Sequence, residues 1–274
     1  MALLASIPSP SDGAIELGPL QIRAYGLMIA LGVLAAVKFA SVRWRQRGGN
    51  PDDITAVATW AVPAGLIGAR IYHVVTDYQR FRGRWLHAFA IWEGGLGIWG
   101  GVALGALVGW WVARRRGCDA TLMLDACAPA IALAQAIGRW GNWFNQELFG
   151  RPTSLPWGLE IDPSHRPDGY VDQATFHPTF LYESLWCLLV IGVVLAVERR
   201  YRMRPGGIFA VYVATYTIGR AWIEALRIDD AHHILGLRLN EWTSLMVFAL
   251  ATWVIVARRP APAAVDDPAN VPPG

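Results

Sequence analysis

Between residues 139 and 151 the chain places Arg139, Asn142, Asn145, Gln146, Glu147 and Arg151 directly after a long apolar run. A guanidinium presents a planar fork that matches phosphate oxygens, and side-chain amides add donors without adding charge. On a helix Arg139, Asn142 and Gln146 share one side at spacings of three and four, with Asn145 adjacent. Gly138, Gly141 and Gly150 let the backbone turn there or let a ligand come close. A second group follows downstream: Tyr216, Arg220, Glu224 and Arg227, at spacings of four, four and three, stack on one face of a helix. Two arginines among amides suit the recognition of an anionic phosphate group. The competing reading is that Arg139 only satisfies carbonyls at a helix end.

The elements that carry these groups belong in a membrane. The chain has 274 residues, 54% hydrophobic and only 16% charged, with fourteen Trp, and its mean hydropathy is +0.32. It is too apolar and too sparsely charged for an ordinary soluble globule. A bilayer core needs about 20 apolar residues of helix. Runs of that kind at 20–41, 54–75, 94–113, 120–137, 181–198, 206–226 and 240–257 predict an all-α, polytopic membrane protein with about seven transmembrane helices. Arg43, Arg45 and Arg47, the run ARRRG at 113–117, the run ERRYRMRPGG at 198–207, and Arg258 with Arg259 occupy alternate connections. The positive-inside rule then puts the N-terminus outside and the C-terminus in the cytoplasm. Arg80, Arg82 and Arg84 run against this asymmetry and, with Arg23, read as interfacial anchors.

On this topology Arg23, Tyr25, Arg70, Tyr72, Glu93, Arg139, His177, Tyr182, Glu183 and the outward end of the 216–227 stack meet at the outer leaflet. Charged groups inside a membrane are costly, so their convergence marks a site. The third run carries Gly97, Gly101, Gly105 and Gly109 at every fourth residue, a stripe along which a neighbouring backbone can approach closely. The N-terminal segment lacks the basic and continuous apolar regions of a cleavable signal peptide, so the first span is expected to direct insertion. The end of the chain is Pro-rich with little to bury, which predicts a disordered tail over 260–274.

Several classes are excluded or unsupported. Cys118, Cys127 and Cys187 are an odd number in or beside apolar segments and read as passive small hydrophobes. There is no G-x-S-x-G elbow, no H-E-x-x-H motif and no P-loop. The adjacent His232 and His233 make a poor metal pair, and no metal or nucleic-acid partner is expected. Lys38, the only lysine, lies in the first span, which excludes a retinal Schiff base in the seventh.

The segments IRAYGLMIALG at 22–32, GARIYHV at 68–74, IWEGGLGIWGG at 91–101, GRWGNWFNQELFGR at 138–151, HPTFLYES at 177–184 and YTIGRAWIEALR at 216–227, in this order, resemble the prolipoprotein diacylglyceryl transferase family. The resemblance implies a bacterial plasma-membrane enzyme, with residues 1–259 as one transmembrane catalytic domain and its site toward the extracytoplasmic leaflet. Such an enzyme moves the diacylglyceryl group of phosphatidylglycerol onto the thiol of the lipobox cysteine in a prolipoprotein. A thioether forms, glycerol phosphate leaves, and no cofactor is required; the expected partners are phosphatidylglycerol, the prolipoprotein signal peptide with its lipobox cysteine, and membrane lipids.

Carried over by motif position, the implied catalytic residues are Arg139, Arg220, Tyr25, Asn142, Glu147 and Tyr216. Phosphatidylglycerol would be bound by Arg139, Asn142, Asn145, Arg220, Glu224, Tyr182, Glu183 and Trp99, with Glu224 orienting an arginine. Two departures stand out. Trp99 occupies a position where many family members have a histidine proposed as the base, and indole cannot accept a thiol proton. The base is left open among His73, His177, Glu147 and an arginine field that lowers the thiol pKa. Gln146 stands where glycine is common and is expected to be tolerated. Two other readings are kept: a seven-helix transporter or receptor for an amphiphilic anion, and a membrane scaffold whose Arg and Glu residues simply pair.

Overall fold

The computed structural model describes residues 6–17, 20–90, 94–229 and 233–257. Glu93, His232, Arg258, Arg259 and the tail expected at 260–274 lie outside them. Seven long helices stand where apolar runs predicted spans: α1 (Ala24–Gln46), α2 (Pro51–Thr76), α3 (Ile98–Arg115), α4 (Ala120–Gly138), then, after the short α5 (Trp140–Asn145), α6 (Thr179–Arg200), α7 (Gly207–Leu226) and α8 (Leu239–Ala257). Among the described residues, five segments are long and apolar enough to cross a membrane: α1, α2, α4 continued through α5, α6 and α8. Of the other two, α3 ends in Arg114 and Arg115, while α7 carries Arg220 and Glu224.

Local chemistry sets several boundaries. The Asn50 side chain accepts from the Asp52 amide at 3.0 Å with Pro51 in the first turn, which starts α2. Asp119 Oδ1 accepts from the amides of Thr121 and Leu122 at 2.9 and 3.1 Å and starts α4. Three small antiparallel hairpins were not expected: β1 (Ala14–Leu17) with β2 (Leu20–Arg23), β3 (Leu159–Glu160) with β4 (Thr175–Phe176), and β5 (His233–Ile234) with β6 (Leu237–Arg238). The first corrects the start of the first span, because residues 20–23 are strand. Leu20, Gln21, Ile22 and Arg23 alternate apolar and polar, the period of a strand rather than of a span.

The chain divides into two compact units, residues 37–126 and residues 1–36 with 127–274. In the smaller unit α2 packs along α3 through glycine. The expected stripe is part of this contact: a Cβ on Gly105 would lie 3.3 Å from the Ala61 carbonyl oxygen, and one on Gly109 would lie at an ordinary 3.4 Å from Ala61. The tightest approach lies off the stripe, between Gly68 and Gly100, where a Cβ on either would overlap the other's carbonyl oxygen.

Arg70, expected among the ligand-gathering residues, is instead engaged within this unit. It donates to the carbonyls of Ala88 at 2.8 Å, Gly95 at 3.1 Å, Gly94 and His87. Carbonyls of the connection after α2 are thereby satisfied by a single five-donor guanidinium.

In the larger unit α4, α6 and α7 share a core of Ala128, Ala132, Val190, Val194, Ile208, Val211 and Tyr212. A second cluster, Phe149, Leu159, Ile161, Phe176 and Phe180, seals the segment between α5 and α6. Together they hold the ends of α4, α6 and α7 that carry the polar groups.

Gly68→Ala and Gly100→Ala are each expected to destabilise the protein by about 1–3 kcal/mol through overpacking. Gly109→Ala, which meets only ordinary contacts, should be near neutral. Thermal denaturation of the detergent-solubilised variants checks the contrast.

Candidate functional site

The polar stretch at 139–147 is not one helix. The Arg139 amide still donates to Gln135 O at 3.0 Å, and α5 follows, but Gln146 has φ 50° and Leu148 φ 59°, so the chain leaves the helix at Gln146. The expected alignment of Gln146 with Arg139 and Asn142 is therefore corrected. The Gln146 side chain turns elsewhere, donating to Pro10 O at 3.0 Å and Asp162 Oδ2 at 2.6 Å and accepting from the Asp162 amide at 2.8 Å. A left-handed residue is where glycine is easiest. Three hydrogen bonds of the Gln146 side chain act against the strain of its left-handed backbone.

Glu147 folds back beneath the amides. Its Oε1 accepts from Asn142 Nδ2 at 2.8 Å and Asn145 Nδ2 at 3.3 Å, and its amide donates to Asn142 O at 3.1 Å. Asn142 is thereby oriented while buried. Asn145 lines a polar cleft of about 780 Å³ with Asp12, Gly13, Arg23 and His165, through which solvent reaches it. Tyr25, at the start of α1, lays its ring against Gly141, where a Cβ would come within 2.6 Å.

Two acidic side chains join the arginines. Glu183 on α6 holds Arg139 through Oε2 at 2.6 Å and faces Arg220 Nη1 through Oε1 at 3.5 Å. Arg220 Nη2 meets Glu224 Oε2 at 2.5 Å, and Arg227 Nη1 lies 3.7 Å from the same oxygen, as the stacking on α7 predicted. Tyr216, one turn before Arg220, interacts with Arg139 and stacks on Tyr212 with centroids 6.0 Å apart.

The network has a direction. The carboxylates are sealed, with side-chain exposures of 6% for Glu183 and 0% for Glu224, whereas Arg139 and Arg220 keep 22% and 19%. An incoming ligand meets guanidinium rather than carboxylate.

A statistical model of the prolipoprotein diacylglyceryl transferase family matches residues 12–257. The chain belongs to this family. Among its relatives, the phosphatidylglycerol–prolipoprotein diacylglyceryl transferase 1 of Streptomyces coelicolor is 56% identical over 97% of this chain and 78% of its own length. The phosphatidylglycerol–prolipoprotein diacylglyceryl transferase of Frankia alni is 54% identical over 94% of this chain and 69% of its own. The one from Bifidobacterium adolescentis is 47% identical over 90% and 78%.

Of the residues that the family motifs suggested, Tyr25, Arg139, Asn142, Asn145, Glu147, Tyr182, Glu183, Tyr216, Arg220 and Glu224 all lie in the larger unit. Trp99 belongs to the smaller one, half-exposed in the first turn of α3. There too lies His73, whose Nδ1 is 3.0 Å from Asp77 Oδ2. Tyr182 is occupied: its hydroxyl accepts from Trp157 Nε1 at 3.0 Å and lies 3.1 Å from His177 Nδ1. Burial, and secondarily the charge of Arg151, pushes the His177 imidazole below its ordinary pKa, which favours the neutral ring.

Reasoning from the sequence missed Arg238, Asn240 and Asp229. Arg238 Nε lies 3.2 Å from Glu224 Oε1, Asn240 Nδ2 donates to that oxygen at 3.0 Å, and Asp229 bridges Arg227 at 2.6 Å and Arg238 at 2.9 Å. Glu224 already had arginines at positions 220 and 227, so nothing in the pattern called for further partners.

Gln146→Ala is expected to cost about 2–3 kcal/mol, since it removes the side-chain hydrogen bonds and keeps the left-handed backbone. Gln146→Gly should cost less by about 1 kcal/mol, because glycine relieves the backbone strain. Thermal melts that rank wild type above glycine and glycine above alanine meet this expectation.

Proposed function

We propose that the chain transfers the diacylglyceryl group of phosphatidylglycerol to the lipobox cysteine of a prolipoprotein in a bacterial plasma membrane, with Arg139 and Arg220 gripping the lipid phosphate. The observation that carries this reading is Glu183 holding Arg139 and facing Arg220 from a third helix, with both guanidiniums more exposed than the carboxylate. Charge agrees. Arg139, Arg220, Arg227 and Arg238 stand in this network against Glu183, Glu224 and Asp229, leaving one positive charge. A phosphodiester carries one negative charge and would neutralise it.

In the reaction, sulfur attacks the glyceryl carbon that bears the phosphoester oxygen. The carbon–oxygen bond breaks, its electron pair leaves with glycerol phosphate, and a carbon–sulfur bond forms. The thiol proton goes to a base or is shed as the thiolate forms in the arginine field; a free thiol, with a pKa of about 8.5, needs one of these aids. Negative charge grows on the departing phosphate, where prearranged guanidinium donors act most strongly. Asn142 and Asn145, held by Glu147, present amides near the same end of α4 and α5. Tyr216 interacts with Arg139, and Tyr25 packs its ring against Gly141, two residues further on. Trp99 is not assigned to proton transfer, because an indole nitrogen only donates.

Residues 1–259 act as one catalytic domain, with the N-terminus outside. The arginine-rich ends of α1, α3 and α6 support cytoplasmic placement, and the polar ends of α4, α6 and α7 then face the extracytoplasmic leaflet.

Arg139→Ala and Arg220→Ala should each lower transfer of labelled phosphatidylglycerol to a lipobox peptide by about 100- to 1,000-fold, the cost of losing a transition-state donor. Full activity in both variants removes the phosphate-gripping role; reversible lipid binding without transfer by the wild type favours the receptor reading. In a cysteine-free background, a membrane-impermeant thiol reagent should label Ser164→Cys in intact cells and leave Arg202→Cys unlabelled. The opposite pattern inverts the topology.

A further inference from the structure

Glu224 is wholly buried, and its two oxygens are divided between different partners. Oε2 faces Arg220 at 2.5 Å and Arg227 at 3.7 Å, both on its own helix or at that helix's end. Oε1 is held from the opposite side by Arg238 Nε at 3.2 Å and by Asn240 Nδ2 at 3.0 Å, which come from β6 and the first turn of α8.

Arg238 is buried, and both its Nη groups are turned to the protein. Its Nη1 donates to Glu224 O at 3.3 Å and Arg227 O at 3.0 Å, and its Nη2 to Asp229 O at 2.8 Å and Asp229 Oδ2 at 2.9 Å. Its Nε lies within ion-pair distance of Glu224 Oε1, at 3.2 Å, and is itself sealed from solvent. Asn240 likewise gives an amide donor to the carboxylate.

We propose that Arg238 and Asn240 are positioning residues for the transfer reaction. They hold Glu224 Oε1 so that Oε2 fixes the Arg220 guanidinium where the lipid phosphate meets it, and they touch no substrate themselves. The proposal rests on the reading of Arg220 as a phosphate-gripping group. A buried carboxylate oxygen that loses its donors bears a desolvation cost, and the remaining cations are drawn toward it. Arg220 is the partly exposed cation among them and therefore the one free to move, away from the phosphate.

The test uses the full-length enzyme in mixed micelles, with phosphatidylglycerol and a lipobox peptide. The parameters kcat and KM for the lipid are measured across pH for wild type, Asn240→Ala, Asn240→Asp, Arg238→Gln and the Arg238→Gln/Asn240→Ala pair, with thermal stability alongside. The position-240 side chain faces Glu224 and, around it, Arg220, Arg227 and Arg238; Asp229 and Glu241 contact Arg238, and Glu183 lies beyond Arg220. A neutral aspartic acid at 240 donates to Glu224 as the amide does, while an ionised one repels it.

Asn240→Ala should lower kcat/KM by about tenfold without a new pH limb, the loss of one hydrogen bond to a charged group. Asn240→Asp should add a limb on which kcat/KM falls by about tenfold or more as pH rises, with no matching change in melting temperature. The double variant should lose less than the product of the single losses, since both residues act on one oxygen.

A wild-type pH profile and wild-type kcat/KM in Asn240→Asp overturn the proposal, as does strict multiplicativity in the pair. If Arg238→Gln does not fold, the two Asn240 variants decide alone. Full activity of Arg220→Ala would overturn the underlying reading, whereas an inactive Arg220→Ala with an unchanged Asn240→Asp profile overturns this proposal only.

Discussion

Burying a carboxylate inside a bundle of apolar helices is tolerable only when cations and donors are placed around it beforehand. Glu224, with no exposed surface, and Glu183, nearly as deep, impose that requirement on the larger unit. It is met from several parts of the chain. Arg139 comes from the end of α4, Arg220 from α7, Arg227 from the end of α7, and Arg238 from the hairpin before α8. Once these partners are in place, the helix ends that carry them cannot shift independently without stranding charge. The electrostatic requirement of two acids thus becomes a geometric constraint on several helices.

The same arrangement separates holding from reaching. Carboxylates occupy the closed interior, and the arginines that point outward are tethered from behind. A tethered guanidinium has lost most of its rotational freedom before a ligand arrives, so less ordering cost remains for binding. The amide pair follows this pattern at smaller scale, with Glu147 acting behind Asn142 and Asn145. Side chains that meet the lipid in the proposed reaction are each backed by one that does not.

Much of this was legible in the sequence. Seven apolar runs stand as seven helices within a few residues at most ends, because burial of long apolar segments is a strong signal. The stack from Tyr216 to Arg227 follows from helical spacing alone, and the ion pairs on α7 have that spacing. Other features were beyond it. Residues 20–23 look like the start of a span and form a strand, since Leu20 and Ile22 extend the apolar run while their alternation with Gln21 and Arg23 also fits a strand. Gly68 and Gly100 make the tightest backbone approach between α2 and α3 although a regular stripe ran beside them, because register between two helices depends on both partners. Gln146 broke a helical alignment through a positive φ that nothing in its side chain announces. Arg238 and Asn240 were invisible for a different reason: their roles depend on a chain reversal that returns the backbone to Glu224.

Gln146 also links regions far apart along the chain. Its amide joins the segment ahead of β1, at Pro10, to the segment after α5, at Asp162, and its neighbours Asn145 and Glu147 belong to the proposed site. A glycine there would turn the backbone equally well but would remove this link, leaving the two segments joined through contacts such as those of Ile7 and Ser9 with Gly158, Leu159 and Glu160. With glutamine, displacement of the polypeptide before β1 also reaches the amides next door directly, through the Gln146 side chain. The N-terminal strand segment is in this way mechanically coupled to the reaction centre, as a lever is to its fulcrum.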